Sequence, residues 1–179
     1  MPIVATDLKF KLSINTTPGN ANAQADPNDS IGGFMALTEI VTATDNNLFA
    51  DVSGADNAAS AVHYRGIFVH NDHGSLNLLT AKVWISAEVA GGADVAIALD
   101  GAGETAENLA TVQMERVADE DTAPTGPTFS APTTQGTGLS LADLGANSCY
   151  GIWVRRTAAN TAALSADGFT LSIGGDTAA

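Results

Sequence analysis

A single cysteine, Cys149, means that no disulfide can form within the chain and that no thiolate-built zinc site is available. Basic residues are also scarce: Lys and Arg number 7 against 20 Asp and Glu, for a net charge of −13. A phosphate backbone needs a basic stripe, and an anionic membrane surface repels an acidic chain, so neither nucleic acid nor membrane is an expected partner. Charged residues of both signs reach only 15%, where globular chains carry about a quarter. No apolar run approaches the roughly 18 residues of a membrane span. Residues 1–7 lack the charged and apolar regions of a secretion signal, so the protein is expected to be made and used without one.

What the chain has instead is Thr, Ser, Asn, Ala and Gly between short apolar repeats of period two. Leu8, Phe10, Leu12 and Ile14 alternate with Asp7, Lys9, Lys11 and Ser13. Val95, Ile97 and Leu99 do the same, as do Phe169, Leu171 and Ile173. These read as strands with one wet face. Residues 62–70 and 150–154 are apolar on both faces, as central strands are. A further strand covers 76–86, and Asn71-Asp72-His73-Gly74 predicts a hairpin joining it to 62–70. Weaker strands are expected near 34–41, 48–52, 111–117 and 137–141, and short helical turns at 104–109 and 141–144. The links 15–33, 53–61, 100–110 and 118–136 are rich in turn residues. Residues 15–33 and 53–61 are expected to order on a partner.

Together these predict an all-β fold: an antiparallel β-sandwich, Ig-like or jelly-roll, with an extended N-terminal arm and long loops. Residues 1–60 supply a strand plus polar arms packed on the main domain, and 61–179 supply the sandwich core, within a single domain. Leu144 to Tyr150 resembles the tyrosine corner before strand F of an Ig-like sandwich, which would place Trp84 at the core position of strand C.

Few constellations suggest chemistry. His63, His70 and His73, with Asp72 adjacent, are weak candidates for a Zn or Ni site. His70 and His73 flank a turn, however, and His63 and His70 have opposite parity, so no metal is expected. Asp94, Asp100, Glu104, Glu107, Glu115, Asp119, Glu120 and Asp121 form acidic loops of the kind that can hold Ca²⁺, but without EF-hand spacing. Gly101-Ala102-Gly103-Glu104-Thr105-Ala106 matches a dinucleotide-binding pattern outside any βαβ context. No nucleophile elbow is present, and Cys149 is expected to be a buried, inert thiol. No cofactor and no enzymatic activity are expected. Lys9, Lys11, Arg155 and Arg156 are candidates for contacts with a neighbouring subunit.

Several stretches carry a family likeness: residues 7–13, 47–49 and 51–54, Tyr64-Arg65, 71–74, 82–86, 138–144 and 150–157. With these segments the chain resembles small structural proteins of tailed-bacteriophage virions. The resemblance implies a non-enzymatic virion component assembled in the host cytoplasm. Its partners would be other virion proteins, the major capsid protein or neck and tail proteins, and it would act as a homo-oligomer. The first expectation is a capsid decoration or cement protein. The alternative is a neck, tail or baseplate component. From another class, a carbohydrate-binding, adhesin-like sandwich is weighed against an aromatic content of only 6%.

Overall fold

The computed structural model describes residues 2–16, 22–100, 107–108 (backbone only), 113–164 and 166–177. In chain order the strands are β1 (Leu8–Ile14), β2 (Phe34–Glu39), β3 (Val62–Asn71), β4 (Leu78–Glu88), β5 (Asp94–Leu99), β6 (Glu107–Asn108), β7 (Leu139–Ser140), β8 (Ser148–Thr157) and β9 (Phe169–Thr177). They form two antiparallel sheets that pack face to face. The larger runs β2-β1-β3-β8-β5, with β6 also on β8, and the smaller runs β7-β4-β9. Among the described residues no helix is long and apolar enough to cross a membrane.

The period-two pattern is satisfied between the sheets. Leu12, Ile67, Val69, Ile97, Ile152 and Val154 of the larger sheet meet Val83 and Ile85 of the smaller, with Leu141 and Leu144 closing one side. The doubly apolar strands β3 and β8 are explained by a second core on the opposite face of the larger sheet. There Phe68, Cys149 and Trp153 are covered by Met35, Met114 and Val117, with Ile31 and Phe129 at the margin. The large sheet is therefore buried on both faces. This also covers the face of β5 expected to be wet, since Ala96 and Ala98 are buried along with Val95 and Ile97.

Several expectations are corrected. The strands 62–70 and 76–86 do not form a hairpin, because β3 lies in the larger sheet and β4 in the smaller. The intervening turn crosses between sheets and is fastened by Asn71. Its buried Nδ2 lies 2.9 Å from the carbonyl of Leu76, 3.1 Å from that of Leu144 and 3.0 Å from that of Gly145. Asn71→Ala takes a donor from all three carbonyls, of which Leu144 and Gly145 keep the N–H groups of Leu78 and Ser148, and is expected to cost about 2 kcal/mol. Urea unfolding reads that cost, and a loss near zero would contradict the role. Trp84 is half-buried on the outer face of β4, while the fully buried Trp is Trp153. Residues 48–52 and 141–144 are neither strand nor helix. Of the expected 111–117 strand, the described residues 113–117 form only an isolated bridge, Met114 to Gly33. The one α-helix among the described residues, α1 (Gly54–Ala59), sits in a segment expected to be an unstructured link. Ser53 caps it by accepting from the Asp56 N–H, and the Asp56 carboxylate reciprocates.

Residues 22–33 are likewise fastened to the chain itself. The buried Ser30 hydroxyl accepts from the Ser13 N–H at 2.8 Å and donates to the Gly66 carbonyl at 2.7 Å. The Ser30 carbonyl in turn accepts from the Gly66 N–H. Backbone bonds from Ser30 and Glu120 thus continue the β3 edge beyond the point where β1 ends.

Connectivity refines the sandwich. β3 pairs with β8 and β4 with β9, and both β3 to β4 and β8 to β9 cross between sheets. The row β1-β3-β8-β5 has the A-B-E-D order of an Ig-like sandwich, with β4 and β9 in the C and F places. Tyr150 therefore stands on the E-like strand, not the F-like one, and the tyrosine-corner assignment does not hold. Among the described residues no strand occupies the G place beside β9.

Candidate functional site

The three histidines do not meet. His63 and His70 are seven residues apart on β3, about 23 Å at roughly 3.3 Å per residue, and on opposite faces. His73 stabilises the crossing turn, its Nδ1 accepting from the N–H groups of Ser75 and Leu76 at 3.2 and 3.0 Å. His63 instead gathers with Glu120 and Asp121, their ligand atoms within 4.8 Å of one another. The hydrogen bonding argues against an ion there. Arg156 Nη2 lies 2.9 Å from His63 Nδ1, and a guanidinium only donates, so Nδ1 accepts and the proton sits on Nε2. That N–H faces Asp121 Oδ1 at 3.4 Å, where a metal would need a lone pair. Glu120 is already held by Arg65.

This cluster is a fastening built on two arginines. Arg65 on β3 and Arg156 on β8 both place their guanidinium over the Phe49 ring, at 5.0 and 4.6 Å from its centroid. Arg65 Nε donates to the Leu48 carbonyl at 3.1 Å, and Arg156 Nη1 to that of Ala50 at 2.5 Å. Arg65 is fully buried, and its other nitrogens reach the Tyr64 carbonyl, Asn28 Oδ1 and Glu120. Burial, followed by the like charge of Arg65, lowers the pKa of Arg156. The loop ahead of α1 is thereby clamped to the larger sheet, a role unreadable from sequence because Phe49, Arg65 and Arg156 are far apart in the chain.

The other basic candidates are placed as follows. Lys9 pairs with Asp72 at 2.6 Å; their hydrogen bond raises the lysine pKa and lowers that of the carboxyl. Lys11 is buried, and burial lowers its pKa. Arg155 lies half-buried with its guanidinium 5.1 Å from the Phe129 ring centroid. Lys11 and Arg156 thus offer a neighbour little side-chain surface.

The carboxylates of the acidic loops have separate tasks. Buried Asp100 accepts from Trp153 Nε1 at 2.5 Å and from the Glu115 N–H at 3.1 Å. Glu115 accepts from the Thr125 N–H, and Asp119 from Asp121 N–H and the Thr122 hydroxyl. Asp94 is exposed at the start of β5. The Gly101 to Ala106 motif, with Glu104, lies outside the described residues, as does the Glu107 side chain. Cys149 is fully buried, as expected.

His70 carries a pH dependence. It is 1% exposed. Burial and then the Lys11 charge lower its pKa below the ordinary 6.5, against the pull of Asp72 and a hydrogen bond with the Asn147 side chain. The unfolded chain therefore binds the proton more tightly. The stabilisation is complete above about pH 6.5 and is lost as pH falls below it, by at most about 1.4 kcal/mol per pH unit. Urea midpoints of the parent should fall relative to His70→Phe between roughly pH 7 and 5. Parallel curves would contradict the assignment.

One concave surface stands out that sequence reading missed. A groove of about 1130 Å³ lies between residues 40–54, 87–95 and 156–171, with Phe10, Phe49, Val95, Phe169 and Leu171 among its apolar walls. Val89 and Leu164 are exposed on its lining, and the exposed Val41 adjoins its lining residues Ile40 and Thr42. No protein-family model, curated protein or solved structure matches the chain.

Proposed function

We propose that the chain is a non-catalytic structural subunit of a tailed-phage virion, a decoration or cement protein on the head shell. One observation carries this reading. The buried polar side chains Ser30, Asn71, Arg65, Arg156 and Asp100 hold the chain's own loops and turns onto the two sheets. The result is a rigid body with contact area on its faces and edges. A surface of small, weakly charged residues suits that use, since it loses little on desolvation. The segments that resemble phage structural proteins fall on this frame: on β1, β3, β4 and β8, on β7 and the stretch after it, on the clamped loop at 47–54 and on the crossing turn. In a symmetric particle a small subunit repeats one contact many times, so modest affinity per copy suffices.

Quantitative mass spectrometry of purified particles tests this. A shell protein is expected on the order of hundreds of copies, following the symmetry of the head. A handful of copies would overturn the shell assignment in favour of the neck, tail or baseplate. Absence from the particle would overturn the virion reading itself.

A further inference from the structure

We infer that the free edge of β9 and the adjoining groove form a docking site for an extended segment of another protein, one with apolar side chains flanked by Lys or Arg. The inference does not depend on the virion reading.

Three observations converge. First, β9 pairs only with β4, and among the described residues its other edge has no strand partner. That edge stands at the G place of the Ig-like order, unpaired among the described residues, and it presents backbone donors and acceptors that a strand can use. Second, Phe169, Leu171 and Ile173 of β9 pack against the main core, yet no residue of β9 is fully buried. Every other strand longer than two residues has buried residues. Apolar side chains aimed at a core but left half-covered are what a missing neighbour strand leaves behind. Third, Phe169 and Leu171 of β9 also line the groove, together with Phe10 and the exposed Val89 and Leu164.

Charge selects the occupant. Among the described residues the groove is lined by Asp45, Asp51, Glu88 and Asp167, and the one lining cation is Arg156. Arg156 is turned inward on the Ala50 carbonyl and His63. Glu88 and Asp167 accept from the N–H groups of Val95 and Ala93, which fixes their carboxylates at the rim. A second copy of this chain brings a further −13 and is disfavoured. A basic, apolar strand gains from both the rim and the floor.

The test is selection of a random-peptide display library on the intact chain, followed by synthesis of the enriched peptides. They are expected to alternate apolar residues with Lys or Arg and to carry net positive charge. Their binding is expected to slow amide exchange along β9. Asp45→Lys with Asp51→Lys, both exposed, should weaken binding by about tenfold and reduce its salt dependence. Three results would each overturn the inference: no enrichment over an unrelated acidic protein, enriched peptides that leave β9 exchange unchanged, or β9 protection that rises with protein concentration alone. The last would make a second copy the occupant.

Discussion

Arg65→Met is expected to cost the fold about 3 kcal/mol and to free residues 47–50 from the larger sheet. The side chain is fully buried and donates to Leu48 and Tyr64 carbonyls, to Asn28 and to Glu120 while stacking on Phe49. Met fills most of the volume and supplies none of the donors. Glu120 is 38% exposed and recovers water, which keeps the cost at the lower end of that for breaking a buried pair. Arg65→Lys should do only somewhat better, since an ammonium keeps the charge but cannot reproduce the fork over Phe49. Chemical unfolding measures the loss, and hydrogen exchange at Phe49 and Ala50 locates it. A Met variant within about 0.5 kcal/mol of the parent would show that the clamp is ornamental.

Gly32→Ala is expected to be at least as damaging, at about 3–4 kcal/mol. Gly32 has φ +97°, which side-chain-bearing residues rarely adopt, and a Cβ there would stand 1.8 Å from the Glu115 carbonyl oxygen. That oxygen belongs to backbone that cannot move alone. Met114 donates to the Gly33 carbonyl and Val117 to that of Ile31, so residues 31–33 and 114–117 are laced together. The pair forms the cover over Phe68 and Trp153, and prying it apart exposes the second core. Gly126→Ala shares the positive φ but meets no neighbour, so it should cost only the backbone strain of about 1–2 kcal/mol. Thermal unfolding of the two variants side by side separates clash from strain. Equal losses would contradict the packing assigned to Gly32.

The sandwich was legible because period-two alternation is a local property. Leu12 and Ile14, or Val83 and Ile85, face one way whatever they pack against. Partner choice was not legible. Asn71-Asp72-His73-Gly74 has hairpin composition, and only the amide of Asn71, reaching residues 144 and 145, turns it into a crossing. The double-sided hydrophobicity of β3 and β8 announced central strands but not what covers their second face. Buried polar residues were the hardest to read. Arg65 and Arg156 look like surface cations in sequence, and their partners are carbonyls of a loop that composition marks only as polar. The groove and the β9 edge, unpaired among the described residues, were invisible for the same reason, since both depend on which strands come together in space.

Imaging of intact particles at side-chain resolution, alongside particles made without this gene, would bear most directly on what the molecule is for. The account predicts a density of two stacked sheets, repeated with the symmetry of the shell, lying across joints between capsid subunits and missing from the deletion particles. Shells with identical outer density with and without the gene would contradict it.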